Sequence, residues 1–207
     1  MAAEEEIKSK PEPINLLKVL SLGSKTELLE SKTGYFYKNV PSVAPEAYFH
    51  VIFKPIAPTL VAAIYDLVAM PKIWKNFLSI QNGANLFSGA ICLYGIHPQG
   101  QLLNRTGGLD SRLPFNLVSE GRRVSWLGKE LNLVIGSYGF DRSVVCLNRE
   151  DGSISVYRGK DELLASWDAA SSWLMDETAR LSVLFDSDGN RLVDEAETKP
   201  ERIRVFQ

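Results

Sequence analysis

Residues 70–96, MPKIWKNFLSIQNGANLFSGAICLYGI, constrain the fold of this chain more than any other stretch. Pro71 suits the first turn of a helix, where its missing N–H would have no intrahelical partner. Ile73, Trp74, Phe77 and Leu78 then place large apolar side chains on one side of that helix. Asn82-Gly83 ends it, since both residues tolerate the positive φ that a helix C-terminus commonly needs. Leu86-Phe87 and residues 90–96 return as one extended, apolar strand. A short amphipathic helix and an apolar strand this close together must share a core.

The same segment resembles the signature of the SUKH superfamily, which includes immunity proteins against bacterial toxins and fungal regulators of cell-wall synthesis. The matching elements are Met70-Pro71, Trp74, Phe77-Leu78, Asn82-Gly83-Ala84, Leu86-Phe87 and Leu93-Tyr94-Gly95. A second match follows at Ile135-Gly136-Ser137-Tyr138, with a hairpin at Asp151-Gly152 behind it. Together these cover about half the chain in the family's order. The resemblance implies an α+β fold: a single domain with a curved, mainly antiparallel sheet and helices packed on one side. It also implies a non-enzymatic, bacterial protein-binding domain, most specifically an immunity protein whose partner is a toxin domain. The alternative is a cytoplasmic regulatory or scaffold module like the family's cell-wall-associated members.

Bulk properties are those of a soluble globular protein. The chain has 207 residues, 45% hydrophobic and 23% charged, enough to bury a sizeable core as one domain. A net charge of −2 provides no global basic field for nucleic acid, and any match to a basic partner must be local. Cys92 and Cys146 fall in apolar strands and read as small core residues. Residues 1–6 are acidic where a secretory leader would be basic, and no apolar run reaches membrane-spanning length. These features predict a cytoplasmic location with no membrane association.

Residues 1–13, rich in Glu, Lys and Pro, read as a flexible tail, and residues 14–207 as the domain. An N-terminal arm, 14–57, opens that domain. Within it, the apolar run 14–22 fits a helical turn or a strand equally well, and Tyr35-Phe36-Tyr37 and residues 48–53 are strand-like. Pro58-Thr59 opens a helix that Pro71 separates from the signature helix. Residues 97–131 form a polar, glycine-containing connection. Segments 131–138, 143–148 and 153–157 have the spacing of an antiparallel meander. Residues 161–185 read as the longest helix, on the helical spacing of Leu163, Leu164, Trp167, Ala170, Trp173 and Leu174. Residues 202–206 would add a short edge strand.

No constellation calls for catalysis, a metal or a cofactor. Asp186, Asp188 and Asn190 alternate as calcium ligands do, and Glu197 occupies the twelfth position. Arg191, however, stands at the sixth, where that loop needs glycine, so the stretch reads as a plain turn. His50 and His97 lie in different regions without neighbouring ligands at metal spacing and read as capping or surface histidines. Nucleophile elbows and phosphate loops are missing from the sequence. The connection offers a candidate partner-binding surface at Arg105, Asp110, Arg112, Arg122 and Arg123, because arginine makes bidentate contacts with carboxylates and is enriched in interface hot spots. The sequence leaves the oligomeric state open.

Overall fold

Aromatic and β-branched runs dominate the chain, and the computed structural model places them in one sheet. It describes residues 14–21, 27–40, 47–97, 114–118, 131–139, 141–160 and 162–192. Among these residues nine strands occur: β1 (Leu28–Glu30), β2 (Gly34–Asn39), β3 (Tyr48–Phe53), β4 (Ala84–Leu86), β5 (Ile91–Leu93), β6 (Asn132–Tyr138), β7 (Val144–Asn148), β8 (Ile154–Arg158) and β9 (Glu162–Trp167). They lie in the sheet in sequence order, every neighbouring pair antiparallel, with β1 and β9 at the two edges. The sheet is therefore an open meander and not a closed barrel. Helices α1 (Leu16–Val19), α2 (Pro58–Leu67), α3 (Lys72–Leu78) and α4 (Ala170–Ser182) accompany it. This is an α+β architecture, as the sequence predicts.

The register sets a continuous row of side chains across one face. Tyr37 pairs with His50, His50 with Leu86, Leu86 with Ile91, and Ile91 with Tyr138, crossing β2 to β6. Side chains directly opposite in adjacent strands are neighbours, so this row forms part of a common core surface. A single apolar cluster joins its buried members to Leu16 of α1, Val61 and Ile64 of α2, Trp74, Phe77 and Leu78 of α3, and Trp173, Leu174 and Leu181 of α4. Phe36, Val51 and Phe53 form a separate, smaller cluster, as expected for alternate residues of paired strands.

The predicted signature core is buried, apart from the half-buried Pro71, and internally connected. Trp74 and Phe77 stack with ring centroids 4.3 Å apart. Asn82 Nδ2 donates to the Ile96 carbonyl at 2.7 Å, and its Oδ1 accepts from the Ile96 N–H at 2.7 Å. Gly83 adopts φ +86°, and a Cβ there would sit 2.6 Å from the Leu93 carbonyl oxygen. Gly95 passes so near Asn82 that a Cβ would lie 2.2 Å from its backbone oxygen, and one at Gly136 would lie 2.6 Å from that of Cys92. Leu86, Phe87 and Tyr94 are buried with them.

Several expectations are corrected. Pro71 is the N-cap of α3 and not a residue of its first turn. The helix ends at Leu78 with Ser79 as C-cap, so Asn82-Gly83 works four residues later, where the chain enters β4. The single strand expected after it is a hairpin, β4 and β5, with a tight turn at Phe87-Ser88. The long helix expected over 161–185 is instead a strand, β9, followed by α4. Leu163, Leu164 and Trp167 belong to the strand: β9 pairs with β8 through a bulge at Val156/Tyr157, and Leu164 and Ala165 are both buried. Such a bulge breaks the two-residue alternation and imitates helical spacing. In the arm, residues 14–22 supply the one-turn helix α1, and the aromatic runs become β2 and β3, both interior to the sheet.

Candidate functional site

The arm and α4 enclose an open groove of about 1230 Å³. Its walls are α1 and α4, and its floor is built from β2, β3 and the turn after β4. Each wall is fixed by a buried polar tie. Gln81 Oε1 accepts from the Leu16 N–H at 3.1 Å while its Nε2 donates to the Ile14 carbonyl at 3.0 Å, seating α1. Tyr138 on β6 donates to Glu177 Oε2 at 2.8 Å, and Trp173 Nε1 donates to the Tyr138 oxygen at 3.2 Å, seating α4. Arg180 completes this set with two bonds to the Glu177 carboxylate, at 2.9 and 2.6 Å. Burial, followed by the negative charge of Glu177, pushes the Tyr138 phenol well above its ordinary range, so it stays a donor.

The floor is aromatic. Phe49, Phe87 and Phe185 meet pairwise with centroids 5.4 to 5.7 Å apart. His50 lies among them, 4.3 Å from Phe49 and 4.7 Å from Phe87, with Tyr37 stacked at 5.8 Å. Its Nδ1 accepts the Phe87 N–H at 3.2 Å. Phe87 and Ser88 both adopt φ near +50°, at 52° and 53°, and the turn is closed by Gly89 N–H to Leu86 O at 3.1 Å. A phenylalanine in the left-handed region is uncommon and is retained where surrounding contacts over-determine it. Here the contacts are the imidazole acceptor, the three rings and the Ser88 N–H, which donates to the Phe49 carbonyl at 2.8 Å.

The mouth is partly apolar as well. Met175 on α4 is 62% exposed and Val19 at the end of α1 is 37% exposed. Lys18 of α1 and Asp186 after α4 are the charged residues of the lining. Asp186 is engaged by its own turn: Oδ1 accepts the N–H groups of Asp188 and Asn190 at 2.7 and 2.8 Å, and Oδ2 accepts Asn190 Nδ2 at 3.1 Å. Those bonds, the backbone N–H of Asn190 foremost, hold its carboxyl below the usual carboxylate range. Lys38, itself at φ 50°, anchors the turn by donating to the Ser187 carbonyl and to Asp188 Oδ1. The stretch weighed as a calcium loop is thus a self-bonded turn strapped to β2, with Glu197 outside the described residues. Among the described residues, no three His, Cys, Asp or Glu side chains converge as a metal would require.

Of the sequence-derived candidates, the apolar signature residues Trp74, Phe77, Leu78, Leu86, Phe87 and Tyr94 share the core, and of the signature set Phe87 alone lines the groove. Arg105, Asp110, Arg112, Arg122 and Arg123 lie outside the described residues. His50, read as capping or surface, is a buried member of the floor, and His97 is buried too. Sequence reasoning missed Phe49, Phe185, Lys18 and Met175 as a group. The aromatic run of β3 was visible, but α1 and the residues after α4 are brought to it only by the tertiary ties of Gln81, Tyr138 and Lys38. Comparisons with protein-family models, curated proteins and solved structures found no match to the chain.

Proposed function

We propose that this chain is a protein-binding domain of the SUKH type, with a curved sheet and helices on one side, and that it acts as a cytoplasmic immunity protein neutralising a cognate bacterial toxin. The observation that carries the binding reading is the groove between α1 and α4. It couples a rigid aromatic floor to exposed Met175 and Val19, and such surfaces accept apolar segments of a partner. The toxin reading rests on the signature resemblance, supported by the close approach of Gly83 and Gly95, of Gly95 and Asn82, and of Gly136 and Cys92. The arginines at 105, 112, 122 and 123, with Asp110, are proposed as partner contacts on their residue chemistry alone. None of the described helices is long and apolar enough to cross a membrane.

The test is recovery of partners on the tagged chain from its own cell extract, at low and moderate salt. A single stoichiometric partner, toxic when expressed alone and harmless when co-expressed with this chain, is the expected result. Recovery of envelope-synthesis proteins alone would replace the immunity reading with the regulatory module. Recovery of nothing would remove protein binding as the conclusion.

A further inference from the structure

The hydrogen bond between His50 and Phe87 has a chemical requirement that the rest of the groove lacks. An imidazole nitrogen accepts an N–H only through its free lone pair, so the bond at 3.2 Å needs Nδ1 bare and the ring proton on Nε2. A proton taken from solvent by Nδ1 uses that lone pair. Two N–H groups then face each other, and the Phe87 N–H loses its acceptor.

Phe87 is poorly placed to lose it. Its φ of 52° lies in the region L-residues avoid, and Ser88 beside it is at 53°. The Phe87 ring makes one side of the aromatic floor, edge-on to both Phe49 and His50 and tilted at 31° against Phe185. A turn released from His50 would therefore carry a floor residue with it. His50 itself is 5% exposed. Tyr37 is stacked on it from β2, and Lys18 on the α1 wall and Asp186 beyond α4 are the charged residues of the same groove lining. The adjoining strand β4 presents only Leu86 opposite it.

We propose that His50 is a proton-operated latch on the groove floor: with Nδ1 bare it holds Phe87 in the left-handed turn, and with Nδ1 protonated it lets that turn go. The meaning of the latch as regulation of binding rests on the reading of the groove as a docking surface, while the latch itself is measured without any partner. A surface with this device docks its partner in one shape above the His50 midpoint and presents another below it.

The experiment is a pH titration of the uniformly ¹⁵N-labelled full chain from about pH 8 to about pH 5, following the His50 ring nitrogens and the backbone amides of Phe87 and Ser88. His97 serves as an internal histidine control, and the amides of Tyr138 and Cys146 report whether the sheet stays folded. The expected result is that Phe87 and Ser88 move with the His50 midpoint and that Phe87 exchanges with solvent about tenfold faster below it, with Tyr138 and Cys146 unmoved. His50→Asn, which offers an amide oxygen near the Nδ1 position and takes up no proton, is expected to keep the turn and abolish its pH response. The proposal is overturned if His50 titrates without Phe87, if it keeps one protonation state throughout, if the response persists in His50→Asn, or if the whole sheet unfolds at the same midpoint. None of these outcomes depends on whether a partner is found.

Discussion

Asn82 does at the residue scale what the tertiary structure needs at that point: its side chain satisfies both the N–H and the carbonyl of Ile96, 14 residues on, in a site with 2% exposure. Removing it leaves two buried backbone groups unpaired. Asn82→Ala is expected to cost roughly 2–4 kcal/mol, measured as a fall in the urea midpoint at unchanged slope. Asp at the same position offers no donor for the Ile96 carbonyl and is expected to recover only part of that loss. Cys146 shows the other use of burial. Its thiol is fully enclosed and pushed up to about 12 by desolvation, so almost no thiolate exists at neutral pH. Neither it nor buried Cys92 is expected to react with a thiol reagent in the native protein, and both should react within the dead time in denaturant; rapid native labelling would contradict the packing described. The positive φ of Gly83 was legible in sequence, Gly95 and Gly136 stood out only through the signature resemblance, and the tie from Asn82 to Ile96 was missed because Asn82 was read as a helix end. His50 was not legible, since nothing in its own neighbours says which carbonyl or amide it will meet.

Elements are held here by a few long side chains as much as by apolar packing. Arg149, between β7 and β8, donates to the Val68 and Ala69 carbonyls at the end of α2 and to the Asn132 carbonyl at 3.3 Å. It supplies positive charge where a helix terminus leaves carbonyls without partners. Arg149→Met keeps the apolar stem and removes the donors; a loss of about 1–3 kcal/mol is expected in denaturant unfolding. The turn after α4 is set by Asp186, and its pH dependence follows from the direction of the shift. The folded carboxyl lies below the unfolded one, so its contribution is complete above the unfolded aspartate pKa of about 3.9 and is lost as pH falls through the lower folded value. Urea midpoints taken from about pH 5 down to about pH 2.5 should fall less steeply for Asp186→Asn than for the parent chain. Element types were legible where apolar, β-branched runs were bounded by turn residues, as in β6 to β8. They failed at 161–169, where a bulge gave Leu163, Leu164 and Trp167 a helical spacing, and pairing with β8 decided the outcome.

For the whole molecule, the gap between α1 and α4 forms the groove, and Met175 and Val19 are exposed at it. Met175→Asp and Lys18→Glu change groove residues that make no buried hydrogen bond. Together they are expected to leave thermal stability within about 0.5 kcal/mol while lowering affinity for an authentic partner by about tenfold or more. Equal binding by the double variant would move the interface elsewhere, with the 105–123 connection next in line. The α+β class was readable from the strand meander and the amphipathic helices, whereas the groove was not, because its walls come from opposite ends of the described chain.

The strand order has a consequence for how the molecule is made. Since each strand lies beside its predecessor in sequence, a ribosome delivers every strand to an edge that is already waiting for it, and no strand has to be inserted between two others. The groove is the exception to this orderly growth: α1 is synthesised before the described strands, but its opposing wall, α4, emerges only after them. Until then the aromatic floor is half covered, which makes the nascent sheet, and not the finished one, the species most in need of a chaperone.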